Sequence, residues 1–133
     1  MIVGLIERFT YYARSTMHQL LRGLFSLIFI GAGVMHFVRP DPYVAIVPPY
    51  LPAALVLVYV SGVAEIGLGV ALWIPSLRRW AAWGLIALLI AVFPANIHMA
   101  MANIGGYGIW SWVRLPFQPL LIAWAYVYTR NRS

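Results

Sequence analysis

Four long apolar stretches, separated by short polar or proline-rich segments, dominate the chain. They cover approximately residues 22–38, 53–74, 80–98 and 113–128. The two middle stretches reach the ~20 residues that a helix needs to cross a bilayer, and the outer two are near the short limit. The pattern therefore predicts an all-α integral membrane protein, a four-helix bundle formed by one domain over residues 1–133.

The segment before the first stretch has a different periodicity. Over residues 2–20, apolar side chains such as Ile2, Leu5 and Phe9 recur on one helical face, and Glu7 and Arg14 fall on the other. This pattern predicts an amphipathic helix lying in the membrane interface. A cytoplasmic extension of the first span is the alternative.

Between the first two stretches, the segment RPDPYVAIVPPYLP (residues 39–52) contains five of the nine prolines. Prolines at this density argue against a regular helix. Because Val44 to Val47 are apolar, we expect the segment to fold back over the mouth of the bundle as a cap.

The charge distribution predicts the orientation. The chain is 63% hydrophobic and 9% charged, against about 25% charged residues in a soluble domain. Arginines next to the spans are biased to one side: seven lie in the two terminal segments and the loop between spans two and three, and two lie in the other loops (Arg8, Arg14, Arg22, Arg78, Arg79, Arg130 and Arg132 against Arg39 and Arg114). We expect a multi-pass protein of the inner (cytoplasmic) membrane with both termini in the cytoplasm. We interpret the net charge of +6 as an indicator of membrane orientation and not as a sign of a nucleic-acid site.

Several chemistries are missing from the sequence. The chain has no cysteine, which excludes thiol–disulfide exchange and iron–sulfur ligation. No phosphate-binding glycine loop, catalytic triad order or metal-type histidine spacing is present. We therefore expect no catalysis by this chain alone, although it could be a subunit of a quinone-linked oxidoreductase.

Glu65 is one of three acidic residues and lies inside the second apolar stretch. An isolated charge at that depth costs at least ~2.5–3.5 kcal/mol, so a partner is expected. If the outer ends of the first two spans lie near Phe37 and Pro52, a rise of ~1.5 Å per residue puts Arg22 about 22 Å and Glu65 about 20 Å below the outer surface. This arithmetic predicts an Arg22–Glu65 ion pair inside the bundle. Glu65 could also take part in a site, as a ligand anchor or in a proton relay.

A second group of polar residues, which includes Arg114 and Asp41, gathers near the outer mouth on three spans and the cap. The members considered for ligand binding are His36, Tyr43, Asn96, His98 and Gln118. Three interpretations stay open: helix-end residues that meet lipid headgroups and loop carbonyls, a polar pocket under the cap, or a metal or bis-histidine haem site. Only one histidine pair could face across a haem, and two histidines with a distant acid are too few for a transition metal. We therefore assign these residues to ligand binding, with no metal.

The runs RGLFxxIFIGAGVMHF from Arg22, PxxYxxIVPPYLP, SGVAEIGLG and VFPANIHMA together resemble the DoxX-like family of small membrane proteins over roughly residues 20–128. The resemblance implies a four-helix membrane bundle. Relatives in that family include a subunit of thiosulfate:quinone oxidoreductase, proteins of redox-stress complexes and, more remotely, eukaryotic assembly chaperones or cargo receptors. The positions that carry the family pattern are Arg22, Gly33, His36, Pro40, Glu65, Pro94, Asn96 and His98.

Two functions are compatible with these observations. In the first, the protein binds a small lipophilic ligand, such as a quinone, between its helices and works beside a redox enzyme in the membrane. In the second, it is a non-enzymatic assembly factor or chaperone that presents helix faces rich in small residues, around Gly62 and Gly69 or Gly84 and Ala91, to other membrane proteins. The same faces are compatible with packing inside the bundle or with a homo-oligomer. A transporter or proton path is less well supported, because a single acid lies in the hydrocarbon.

Overall fold

The computed structural model describes residues 1–130, and all the regular secondary structure in that range is helical; Arg132, which entered the charge count above, lies outside the described residues. The helices are α1 (Ile2–Val38), α2 (Pro40–Ile46), α3 (Ala54–Ala71), α4 (Arg78–Met101) and α5 (Ile109–Thr129), with a short 3-10 turn at Ile104–Gly106. Three of them, α1, α3 and α4, are long and apolar enough to cross a membrane. The fourth predicted span corresponds to α5, which carries Arg114, Gln118 and two prolines.

The first helix is longer than its predicted span. α1 runs unbroken for 37 residues, which corresponds to ~56 Å at ~1.5 Å per residue. Its first half packs on nothing, because side chains from Ile2 to Leu21 are exposed almost without exception. Burial begins at Gly23 and recurs at Ser26, Phe29, Gly33 and His36. For residues 2–20, the alternative prediction was an extension of the first span. The continuous helix has that shape.

The proline-rich segment contains a helix that the sequence argument did not expect. α2 covers seven residues, and its prolines Pro40 and Pro42 stand in the first turn. Helical first-turn N–H groups have no partner inside the helix, so proline is tolerated there. After Val47, which is extended, the chain continues without regular structure to Ala53. α2 contacts α1, α3 and α4, and it therefore lies over the ends of these helices as a cap.

The four long helices pack as two antiparallel pairs. α1 packs mainly on α3 and α4 mainly on α5, and a smaller α3–α4 interface joins the pairs. Glycines bring α1 and α3 close together: a Cβ added at Gly33 would lie 2.7 Å from the carbonyl oxygen of Gly62, and one at Gly69 would lie 2.8 Å from Ile30. Small residues at such crossings are typical of helices that pack inside a membrane.

A hydrogen-bond chain fastens the other end of this interface. The Ser26 hydroxyl donates to the carbonyl of Gly69 at 2.6 Å and accepts the indole N–H of Trp73 at 2.7 Å. Ser26 is fully buried. The Ser26 hydroxyl therefore both donates and accepts a hydrogen bond between α1 and the end of α3.

The apolar core fills only the end of the molecule opposite the cap. Phe25 is fully buried there, and its ring lies 4.9 Å from Phe29, 4.8 Å from Trp124 and 5.7 Å from Tyr128, measured between centroids. Leu72, Leu85 and other small or branched residues of α3, α4 and α5 complete this cluster. Aromatic contacts thus bring α1 and α5 together at this end.

Candidate ligand-binding site

A cavity of about 780 Å³ lies between the two helix pairs, on the cap side of the aromatic core. Its wall is mostly apolar and is supplied by α1, α3, α4 and α5, with the cap and the following loop as a roof. The residues with polar groups that line it are His36, Tyr43, Tyr50, Ser61, Glu65, Asn96, Arg114 and Gln118. A large apolar cavity with a few polar groups is the usual form of a small-molecule site.

Four of the five residues predicted to bind a ligand line this cavity: His36, Tyr43, Asn96 and Gln118. Glu65, which the sequence argument assigned to an ion pair nearer the other end, lines it as well. Ser61 and Arg114 also line the cavity. The sequence argument grouped Arg114 with the residues at the outer mouth without assigning it to ligand binding, and it did not assign Ser61. Ser61 lies one turn before Glu65 on the same helix, and this spacing was the available signal for it.

Glu65 meets His36 because α1 and α3 run in opposite directions. Gly33 packs against Gly62 and against Cβ of Glu65. Helical side chains lean toward the N-terminus of their own helix, so His36 and Glu65 lean toward each other across this contact. Nδ1 of His36 lies 3.1 Å from Oε2 of Glu65, and both side chains are about nine-tenths buried.

The Glu65 carboxylate is nevertheless left with an unused hydrogen-bond acceptor. Nδ1 of His36 lies 2.8 Å from the carbonyl oxygen of Ala32. A carbonyl can only accept, so Nδ1 must carry its hydrogen, and that single hydrogen is directed at Ala32. Oε2 of Glu65 is consequently buried without a hydrogen-bond partner among the described residues. A buried polar atom of this kind calls for an explanation, such as a ligand.

The cap contributes an aromatic residue to the same place. The Tyr43 ring lies over the His36 imidazole with 4.0 Å between centroids and 32° between planes. Burial raises the pKa of the Tyr43 phenol, and the negative charge of Glu65 acts in the same direction. The phenol therefore stays protonated near neutral pH and can donate a hydrogen bond into the cavity.

On the opposite wall of the cavity, the side-chain amides of Asn96 and Gln118 are held by hydrogen bonds. Nδ2 of Asn96 donates to Oε1 of Gln118 at 2.5 Å, and Nε2 of Gln118 donates to the carbonyl of Leu89 at 3.0 Å. That carbonyl lies one residue before the carbonyl that Pro94 leaves without its helical donor. Gln118 is buried at 4% exposure, and it links α5 to α4 where proline weakens the helix. Its second amide hydrogen and the Asn96 oxygen remain for a ligand.

His98, the fifth predicted ligand-binding residue, lies outside this cavity and lines a smaller recess with Pro94 and Met101. Its Nδ1 lies 3.1 Å from the carbonyl oxygen of Ile46. Because that oxygen can only accept, Nδ1–H is the donor. The structure thus gives His98 a structural contact, a hydrogen bond that fastens the end of α2 to α4.

The Arg22–Glu65 pair is replaced by other contacts. Glu65 pairs with His36, and Cζ of Arg22 lies 6.0 Å from the centre of the Trp73 ring. The depth argument assumed that α1 and α3 end at the same outer level. In the structure Glu65 is opposite Gly33, 11 positions and therefore ~16 Å along α1 from Arg22. The extended segment after α2 shifts the start of α3 outward and so displaces the register.

No group of three or more His, Cys, Asp or Glu side chains that could hold a metal occurs within residues 1–130. The cavity wall carries one carboxylate, one imidazole, one guanidinium, phenol, hydroxyl and amide groups, and apolar side chains. This donor set suits an organic molecule with oxygen substituents.

Comparison with known proteins gives one result. Residues 25–129 match the family described as a domain of unknown function, DUF8561, and the chain belongs to that family. The matched region includes every lining residue of the cavity. No curated protein and no solved structure matches the chain significantly.

Proposed function

We propose that this protein is an integral membrane protein that binds a small lipophilic molecule of the quinone type in the cavity between its two helix pairs. The observation that carries the proposal is on the cavity wall: the buried Oε2 of Glu65 has no hydrogen-bond partner among residues 1–130. A ligand hydroxyl that donates to this oxygen would remove the cost of leaving it unpaired.

The remaining wall fits both redox forms of such a ligand. A quinone presents carbonyl oxygens that accept hydrogen bonds, and the Tyr43 hydroxyl and the Arg114 guanidinium are donors on the wall. The reduced form presents hydroxyl groups, for which Glu65 and the Asn96 oxygen are acceptors. The apolar side chains of Ile28, Leu57, Val92 and Phe117 surround the rest of the volume.

Membrane placement follows the arginine bias and the apolar helices. In this proposal α1, α3, α4 and α5 all cross the inner membrane, both termini lie in the cytoplasm, and the cap faces the outer side. The association with a redox pathway rests on the resemblance to the DoxX-like family, in which a quinone-linked oxidoreductase subunit occurs. The electron-transferring centre would then belong to a partner enzyme.

The contacts of the small residues weaken the alternative of an assembly factor that uses those faces. Gly62 and Gly69 pack against α1, and a Cβ at Gly84 would lie 2.7 Å from the Leu68 side chain. Gly62, Gly69 and Gly84 are therefore occupied inside the molecule, whereas Ala91 on the face of Gly84 is exposed and stays accessible to another protein.

The test begins with the protein purified in mild detergent. Lipophiles are extracted and identified, and decylubiquinol, the reduced form whose hydroxyls can donate to Glu65, is then titrated under anaerobic conditions and followed by native mass spectrometry. We expect stoichiometric binding to the wild type and a loss of ~10-fold or more in Glu65→Gln, because a hydrogen bond to a charged acceptor is replaced by a weaker one. Glu7→Gln, which removes an exposed carboxylate far from the cavity, is the matched control.

A second pair of variants tests whether the ligand occupies the volume of the cavity. Ala91 lines the cavity and Ala87, one turn earlier on the same helix, does not; both are exposed. Ala91→Phe should reduce binding and Ala87→Phe should leave it unchanged. A wild type that neither contains a lipophile nor binds decylubiquinol would contradict the proposal, and an empty protein that co-purifies with another membrane protein would support the assembly role.

A further inference from the structure

At the end of the molecule opposite the cap, three polar groups from three helices converge. Arg22 is on α1, Arg78 begins α4, and Tyr128 is in the last turns of α5. Arg22 and Arg78 contact consecutive residues at the end of α3, Trp73 and Leu72, and the Tyr128 ring lies 5.7 Å from that of Phe25, one turn after Arg22 on α1. Like charges do not gather in this way without cost.

The contacts of these groups hold them in place without neutralising them. Nε of Arg78 donates to the carbonyl of Leu72 at 2.8 Å, and the Arg22 guanidinium lies over the Trp73 ring. Neither partner carries a negative charge. The Tyr128 oxygen accepts the indole N–H of Trp124 at 2.9 Å, which leaves the Tyr128 hydrogen available as a donor.

One donor in the cluster is already buried and unused. Nε of Arg22 has no hydrogen-bond partner within residues 1–130 and is shielded from solvent. No carboxylate side chain can reach it. Glu65 pairs with His36, Asp41 is on the cap, and Glu7 is 15 positions away on α1, ~22 Å along the helix axis.

We infer that Arg22, Arg78 and Tyr128 form a binding site for a phosphate group at the arginine-rich end of the bundle. Guanidinium groups pair with phosphate oxygens through charge-assisted hydrogen bonds, and the phenol supplies one more donor. The phosphate could be the headgroup of an anionic phospholipid or a free anion. The site is separate from the cavity and does not depend on the proposed quinone-type ligand.

The experiment uses the delipidated full chain in detergent and native mass spectrometry. Phosphatidylglycerol, phosphatidylcholine and inorganic phosphate are added separately, with chloride as the background anion. Tighter binding of phosphatidylglycerol than of phosphatidylcholine and inorganic phosphate identifies a lipid site. Binding of inorganic phosphate as tightly as phosphatidylglycerol identifies a free-anion site. A wild type that distinguishes neither phosphatidylglycerol from phosphatidylcholine nor phosphate from chloride would overturn the inference.

Variants locate the site. The double variant Arg22→Gln/Arg78→Gln should lose ~10-fold or more in affinity for the bound anion, because two charge-assisted donors are removed. Arg8→Gln/Arg14→Gln, on the exposed first half of α1, removes the same net charge and should bind like the wild type. Equal losses in both double variants would show a general charge effect and contradict the site. Tyr128→Phe should give a smaller loss.

Discussion

At the residue scale, the backbones of α1 and α3 come into close contact at Gly33 and Gly62. A Cβ at Gly33 would lie 2.7 Å from a backbone oxygen, which cannot move aside as a side chain can. This contact also sets the level at which His36 and Glu65 meet. A residue that has no side chain, Gly33, therefore determines where His36 and Glu65 lie in the cavity wall.

We expect Gly33→Ala to destabilise the protein by ~1–3 kcal/mol, the usual cost of overpacking. Gly31 is the matched control, since it lies on the same helix and a Cβ there would contact nothing within 4 Å. Gly31→Ala should be neutral or slightly stabilising, because alanine favours helix over glycine. Thermal unfolding in detergent measures both; equal melting temperatures would contradict the close contact.

The sequence was informative about which residues face inward and less so about which of them meet. Helical spacing placed His36 and Gln118 on inward faces, and Asn96, which fell off the stripe of its helix, was included for its level near the outer mouth; the structure puts all three around the same cavity. The partner of Glu65 depended on the vertical offset between α1 and α3. That offset is set by the irregular path of residues 47–53, whose shape has no periodic signal.

At the element scale, the cap is held by a few contacts. Tyr43 stacks on His36 at its middle, and Ile46 accepts from His98 at its end. The sequence predicted a folded-back cap from the prolines and the apolar run between them. It could not predict the helix, because first-turn prolines and helix-breaking prolines look alike until the start of the helix is known.

We expect His98→Ala to loosen α2 without changing the rest of the fold. Amide hydrogen exchange in residues 43–50 should become faster, since the bond to Ile46 is the tie between the end of α2 and α4. His18→Ala, at an exposed position of α1, should leave exchange unchanged. Unaltered protection of the cap in His98→Ala would show that stacking on His36 is sufficient.

At the scale of the whole molecule, the orientation can be tested because the chain has no native cysteine. Single cysteines at Ser76, Asn103 and Arg130 sample the α3–α4 turn, the α4–α5 connection and the end of α5, all at exposed positions. A membrane-impermeant maleimide applied to vesicles of known orientation should label Ser76→Cys and Arg130→Cys from the cytoplasmic side. Asn103→Cys should be labelled from the other side.

The labelling also decides the status of α5. If α5 does not cross the bilayer, the cysteines at positions 103 and 130 will react from the same side. That outcome would contradict the four-span arrangement and would leave the three helices whose length and hydropathy allow crossing.

The division into two helix pairs has a consequence for biogenesis. The pair α1/α3 uses residues 2–71 and the pair α4/α5 uses residues 78–129, so each pair is contiguous in the chain. Contacts that are local in sequence form early, and the first pair can close through Gly33, Gly62 and Ser26 while α4 is still being synthesised. The cavity then forms last, when the two helix pairs, each already formed, pack against each other.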